Sequence, residues 1–352
     1  MNALRACSNN LRIFYSAVVC LLKMEKKVFM HVYWFQDLKI GHLKQVQVLL
    51  DELSKENELV ITKIHCPERS IFNRLKSFLS NDSIQSQQDD LTLLVGAGHS
   101  AYPQILKTQK ALKQTSNILS VAVLKPSFNS NDFDLICAPE HDYPSNKKPN
   151  NVHIFKGSLA KTSLIEPTAN KGIIGLGGSS KHYDFDNELV SKQIEYVLTT
   201  HPHHHFYIYN SRRTPSSLNQ AIKKMSKEFQ NFTFIEMESP EAKSFQEDLQ
   251  TAELKFVTPD SSNLVFEALS CKGKTYVMQI ERLDRSKTSG SKKIRNAINA
   301  LVADHRVGTL TVNTPTLGLK VHAMEHPVAG LEPLAEVEKT AYVIQGLINN
   351  KI

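Results

Sequence analysis

Short apolar runs alternate with segments of helical spacing along almost the whole chain, and this alternation restricts the fold more than any single motif does. From Lys27 the sequence reads as a strand (VFMHVYWF), a loop carrying Gly41, and a helix from about His42 to Lys55. Further apolar runs follow at Leu59 to Ile64, Leu91 to Val95, Leu119 to Val123 and Phe133 to Cys137. Strands that alternate with helices imply a mostly parallel sheet with helices on its faces.

The alternation stops once and then restarts. Glu140 to Asn151 (EHDYPSNKKPNN) is rich in Pro, Asn and charge, and after a brief apolar run a second polar stretch ends near Lys171. Beyond it come predicted strands Gly172 to Leu176, His205 to Tyr209, Phe232 to Ile235, Leu254 to Thr258 and Thr275 to Gln279. Between these lie predicted helices Asn187 to Thr199, Ser216 to Glu228, Glu241 to Thr251 and Asn263 to Ser270, and Pro333 to Asn349 reads as a helical tail. A chain of 352 residues is long for one core. The expectation is therefore an α/β protein of two domains, 27–165 and 166–330, facing a cleft, with an N-terminal extension 1–26 and a C-terminal helix 331–352.

Hydrophobic residues make up 41% and charged residues 22%, which fits a globular chain. The net charge of +7 favours anionic partners. The basic residues fall in short scattered clusters without interleaved aromatics, so nucleic acid is the weaker reading. Cys7, Cys20, Cys66, Cys137 and Cys271 form no C-x-x-C pair, which argues against a zinc ribbon or disulfide framework and fits a reducing, cytoplasmic compartment. Leu11 to Leu22 is too short an apolar run to span a bilayer, and no small-residue cleavage site follows it. The blander reading starts translation at Met24 or Met30 and leaves the leader as an optional extension.

Several strand ends carry polar loops. GLGGSSKHYDFD (Gly175 to Asp186) lies between a strand and a helix, where glycine amides can approach a phosphate and Lys181 can add charge; the alternative is a tight turn. In TPDSSNLVFEALSCKGK, Asp260, Ser261 and Ser262 end a strand and Glu267 lies in the following helix, or these are simply a cap and a solvated carboxylate. SRRTP offers Ser211, Arg212 and Arg213, and guanidinium forks suit phosphate oxygens. In the first half, QDLKIGHLKQ holds Asp37 and His42, either of which can serve as general base, and GAGHS and APEHD add His99, Glu140 and His141. HPHHH (His201 to His205) resembles a metal tract, but consecutive residues of an extended chain point to opposite faces. The chain has no H-E-x-x-H, Walker A or G-x-S-x-G motif.

Taken in order, QDLKIGHLKQ, FDLICAPEHD, GLGGSSKHYDFD, YNSRRTP and DSSNLVFEALSCKGK resemble the motifs of the elongated-mitochondria fission family, over roughly Val28 to Ile280. That family spans plant mitochondrial fission proteins and bacterial members that look like GT-B glycosyltransferases, some implicated in building lipopolysaccharide or lipooligosaccharide core. The resemblance implies two Rossmann-like domains of the GT-B type. It places Gly177, Gly178, Ser179 and Ser180 at a donor diphosphate with Arg212 and Arg213 nearby, and Glu267 on the donor ribose. Asp37, Gly41, His42 and Gln45 would line the cleft from the acceptor side. The sequence departs from the commoner family pattern at GAGHS and at Asn263, where methionine is frequent.

The function this implies is metal-independent transfer of a sugar from a nucleotide-diphosphate donor to a lipid-linked saccharide at the cytoplasmic membrane face. The nucleotide sugar is then a co-substrate, no cofactor is expected, and membrane contact would be peripheral. A non-catalytic adaptor that keeps the fold is the second hypothesis, and a sugar-nucleotide epimerase or hydrolase the third.

Overall fold

The computed structural model describes residues 27–66, 91–112, 117–143, 148–180, 183–281, 292–313 and 318–352. The first lobe runs β1 (Val28–Gln36), α1 (Ile40–Leu53), β2 (Asn57–His65), β3 (Leu91–Ala97), α2 (Ala101–Leu112), β4 (Asn117–Val123), β5 (Leu135–Pro139) and β6 (Val152–Phe155). Its strands lie in the order β2-β1-β3-β4-β5-β6, every pair parallel. All seven residues of β3 are buried, which is why LTLLVGA reads as one apolar run and not as an alternation. The chain winds outward to β2 and then crosses back over β1 to β3, so the connections diverge between β1 and β3. In open parallel sheets such a switch point leaves a crevice at the carboxyl ends of the strands.

The second lobe repeats the plan. It runs β7 (Thr168–Gly175), α3 (Asn187–Thr200), β8 (His205–Tyr209), α4 (Ser216–Met225), β9 (Phe232–Ile235), α5 (Phe245–Thr251), β10 (Ala252–Val257), α6 (Ser262–Leu269), β11 (Lys274–Val277), α7 (Lys292–Ala303), β12 (Gly308–Asn313) and β13 (Lys320–Glu325). The strand order is β13-β12-β11-β10-β7-β8-β9, parallel except for the edge pair β12 and β13. Its switch point lies between β7 and β10. Two mostly parallel, helix-flanked sheets facing each other across a cleft make this an α/β fold of the GT-B type, as the sequence leads one to expect.

Local differences have local causes. The α2 helix tolerates Pro103 because it is the third residue of the helix, where no intrahelical N–H bond is lost. The stretch expected as one helix from Glu241 splits into a 3-10 turn, Pro240–Ser244, and the seven-residue α5. Lys255, in the centre of β10, is fully buried; its Nζ donates to the carbonyls of Cys271 (2.8 Å) and Lys272 (2.5 Å), fixing the chain just after α6.

The helical tail is α8 (Glu336–Asn349), and it is part of the first lobe's core: Val337, Ala341, Ile344 and Ile348 pack with Leu49, Leu50 and Leu53 of α1. Asn57 Nδ2 donates to Gln345 Oε1 at 2.7 Å, and Glu336 Oε2 accepts from the Lys156 amide at 2.8 Å. The chain thus crosses between lobes twice, and the crossings are bonded together: Thr162 Oγ1 reaches both Leu334 O (3.2 Å) and Glu338 Oε2 (2.7 Å). Both also hold the end of α6, through Ser163 N to Ser270 O (2.8 Å) and Leu334 N to Leu269 O (2.9 Å). Among the described residues no helix is long and apolar enough to cross a membrane. The leader and its expected start sites up to Met24 lie outside the described residues.

Candidate functional site

At the first switch point, Asp37 follows β1, and Gly98 and His99 follow β3. Asp37 is 7% exposed; its Oδ1 accepts the Lys39 amide at 3.1 Å, and its Oδ2 lies 2.7 Å from Nδ1 of His42, in the first turn of α1. A carboxylate only accepts, so His42 donates from Nδ1 and Nε2 is left as the basic nitrogen. Burial lowers the pKa of His42 below its usual value, and the neighbouring Asp37 charge opposes that shift without reversing it. The backbone at Gly98, with φ of +98°, closes over the pair; a Cβ there would fall 2.1 Å from Asp37 Oδ2. His99 Nδ1 is held 3.1 Å from Ser127 Oγ.

At the second switch point, the loop after β7 meets the loop after β10. The Gly177 amide donates to Thr258 Oγ1 (2.7 Å) and the Gly178 amide to Asp260 Oδ2 (3.0 Å). These two amides are therefore engaged inside the protein, whereas the sequence reading had them at a phosphate. Arg213 closes the knot: Nη2 lies 2.8 Å from Asp260 Oδ2, and Nη1 donates to Gly178 O at 3.2 Å. A Cβ on Gly178 would lie 1.8 Å from the Arg213 carbonyl oxygen, so this approach requires glycine. Backbone amides outside the hydrogen-bond ladder lie instead at the start of α6. Its ladder begins with the Leu264 and Val265 amides bonding to Ser261 O, which leaves the Ser262 and Asn263 amides outside it.

A cavity of about 280 Å³ separates the lobes. Of the residues singled out in the sequence, Gly41, Gly177, Ser211, Arg213, Ser261 and Glu267 line it. Asn263, noted in the sequence as a departure from the family pattern, lines it as well, and so do Lys44, Asn210 and Phe245, which were not foreseen. Glu267 is one helical turn beyond Asn263 on α6, and its carboxylate is bridged: Lys44 Nζ lies 3.4 Å from Oε1, and Gln246 Nε2 donates to Oε2 at 3.2 Å. Phe245 packs edge-on against Tyr209 at 5.1 Å, giving the Glu267 end an aromatic wall.

Other expected site residues lie elsewhere. Gln45 is 4% exposed and turned inward, because its amide bonds to Gly41 O (3.3 Å) and to the Leu159 amide (3.1 Å). Ser179 and Arg212 are exposed beside the cavity, and Ser180 is engaged in a turn with Tyr183. Ser262 is half-buried in the first turn of α6. Glu140 and His141 lie in a 3-10 turn after β5, where burial lowers the His141 pKa and Lys293 of α7 reaches Asp142 across the lobes at 3.3 Å. Lys181 lies outside the described residues.

The Gly/Ser loop carries a D-x-D triplet, Asp184-Phe185-Asp186, but Asp186 is the N-cap of α3, its Oδ1 accepting from Leu189 N at 3.0 Å. In the histidine tract, His204 faces Glu253 (3.3 Å) while His205 bonds to Thr233 Oγ1 (2.8 Å). Among the described residues no group of three or more His, Cys, Asp or Glu side chains is placed to hold a metal ion.

A comparison with curated proteins gave no match. Among solved structures, the chain is similar to S. aureus MnaA in its UDP co-structure (12% identity, 93% of this chain and 98% of that one, TM-score 0.45). It is similar to the UDP-GlcNAc 2-epimerase from Neisseria meningitidis bound to UDP-GlcNAc (12%, 91% and 100%, TM-score 0.46). It is likewise similar to Acinetobacter baumannii MurG (12%, 78% and 83%, TM-score 0.42). The family model described as mitochondrial fission ELM1 matches residues 40–346, most of the chain and every loop described above from α1 onward, and the protein belongs to that family.

Proposed function

We propose that the protein is a glycosyltransferase that moves a sugar from a nucleoside-diphosphate donor to an acceptor hydroxyl. One observation carries this reading: the start of α6 and Glu267 face, across a shared cavity, the helix that bears His42. The start of α6 offers unengaged amides and a positive helix end to a diphosphate. Glu267 offers a carboxylate to a ribose diol, and Phe245 with Tyr209 an apolar wall to the base.

In the transfer step, His42 Nε2 takes the proton of the acceptor hydroxyl while that oxygen bonds to the anomeric carbon of the donor. The bond from that carbon to the diphosphate oxygen breaks, and the diphosphate leaves with the electron pair. Asp37 stabilises the imidazolium that forms, and the amides of α6 stabilise the departing charge. The acceptor proposed is a lipid-linked saccharide of the lipopolysaccharide or lipooligosaccharide core kind at a cytoplasmic membrane face, a setting that the net charge of +7 suits.

The test is thermal unfolding with UDP, GDP, ADP and CMP, followed by transfer from the matching sugar nucleotide to a lipid-linked saccharide fraction. At least one nucleotide should raise Tm, because a ligand of the native state stabilises it. His42→Ala should lower transfer by roughly a hundredfold or more while nucleotide binding persists. Because burial holds the His42 pKa down, wild-type activity should persist somewhat below pH 6.5 before its acid limb falls.

A non-catalytic adaptor is the second reading. It is favoured by the Gly177 and Gly178 amides and both Glu267 oxygens already having partners within the protein. It requires no thermal shift with any nucleotide and full biological activity in Glu267→Ala.

A further inference from the structure

Lys44 is a first-lobe residue that touches the second lobe at the residue on which nucleoside recognition would rest. It projects from α1 with its side chain about half exposed, while the Glu267 side chain it meets is only 16% exposed. Two positions before it, on the same helix, stands His42; one turn before it, Gly41 sits against Asn263 so closely that a Cβ at position 41 would come within 2.6 Å of the side-chain nitrogen Nδ2 of Asn263. The lobes therefore meet along one edge of the cavity, at Gly41 with Asn263 and at Lys44 with Glu267.

Among the described residues the cavity is lined by two cationic side chains, Lys44 and Arg213. Arg213 is held by Asp260 and the Gly178 carbonyl. Among the described residues Lys44 is held by Glu267 alone, at 3.4 Å, the long end of the hydrogen-bond range. A ribose diol brings two O–H donors to that same carboxylate and competes with the ammonium for its lone pairs. The flexible four-carbon stem of lysine lets the displaced ammonium swing without backbone movement.

We propose that Lys44 is the first lobe's contribution to diphosphate binding: its ammonium, which meets Glu267 in the structure, transfers to the phosphates when a nucleoside diphosphate takes over that carboxylate. This rests on the nucleotide-sugar reading given above and extends it by naming a positioning charge that α1 delivers. The nucleoside and the diphosphate then bind as one event. The ribose frees the cation, and the cation neutralises charge that grows on the diphosphate as the sugar departs.

The experiment is isothermal titration of the full chain and of Lys44→Met and Lys44→Arg with UDP, GDP and ADP and with the corresponding nucleosides. For the diphosphate that binds wild type, Lys44→Met should weaken affinity about tenfold, since a charge-assisted contact is lost. Its nucleoside should bind Lys44→Met as well as wild type or better, and Lys44→Arg should recover most of the diphosphate loss. Equal weakening of nucleoside and diphosphate, or no recovery with arginine, reduces Lys44 to a structural contact and overturns the proposal, as does unchanged diphosphate affinity in Lys44→Met. If a nucleoside binds too weakly to titrate, the Arg-against-Met comparison decides alone. Wild type that binds none of the diphosphates overturns the donor-site reading itself, an outcome distinct from failure of the Lys44 assignment.

Discussion

At position 255 a lysine ammonium stands where the surrounding strand would suit an apolar side chain, and burial pulls its pKa down to about 8 from an ordinary 10.5. Between those two values the folded state binds fewer protons than the unfolded chain, so this group makes stability rise with pH from about 8 to 10.5. The full effect is up to about 3 kcal/mol by linkage. Lys255→Met should flatten that rise, and urea unfolding of both proteins at pH 7.5 and 9.5 would measure it. A parallel pH response in wild type and Lys255→Met would mean that the ammonium's two carbonyl partners keep its pKa ordinary. The candidate site was unevenly legible in the sequence. Asp37 and His42 could be picked out because a strand end followed by a glycine loop and a helix is a recurrent site plan. Lys44 could not, because an exposed lysine on an amphipathic helix is ordinary, and only the approach of the second lobe gives it a partner.

Among elements, the loop after β7 shows how a motif can sit in the right place and do a different job. Its glycines suggested a phosphate cradle, but the Gly177 and Gly178 amides tie the loop to the one after β10, and the amides proposed for the diphosphate belong to α6. No sequence pattern distinguishes these cases, since close backbone approach needs glycine whether the neighbour is a phosphate or another loop. Gly178→Ala should therefore damage the site through the fold. With 1.8 Å between a new Cβ and the Arg213 carbonyl, the loop must shift, and we expect a loss of about 2–3 kcal/mol in stability together with weaker nucleotide binding, read by Tm and titration. Wild-type stability in this variant would mean that the loop moves freely. The strands themselves were largely legible because burial on both faces gives continuous apolar runs. The edge strands β12 and β13 and the half-buried α7 give weaker patterns and were not separated in the sequence.

For the whole molecule, the tail is the feature that sequence spacing described least well. As an isolated segment, Pro333 to Asn349 reads as an appended helix, yet α8 supplies four buried apolar side chains to the first lobe's core. At roughly 1.5–3 kcal/mol for each of Val337, Ile344 and Ile348, their removal takes about 5–9 kcal/mol from that core. That is comparable to the whole stability of a domain. A chain ending at residue 330 should lose cooperative unfolding of the first lobe, seen as loss of amide protection in β1 and β3 by hydrogen exchange; retained protection there would show that α8 is dispensable.

The same return path has a mechanical consequence. Two covalent tethers laced to each other at Thr162 resist torsion between the halves better than a single tether would. The lacing is anchored at the carboxyl end of α6, the helix whose opposite end lines the cavity, so strain in the tethers and occupancy of the cavity act on one rigid rod.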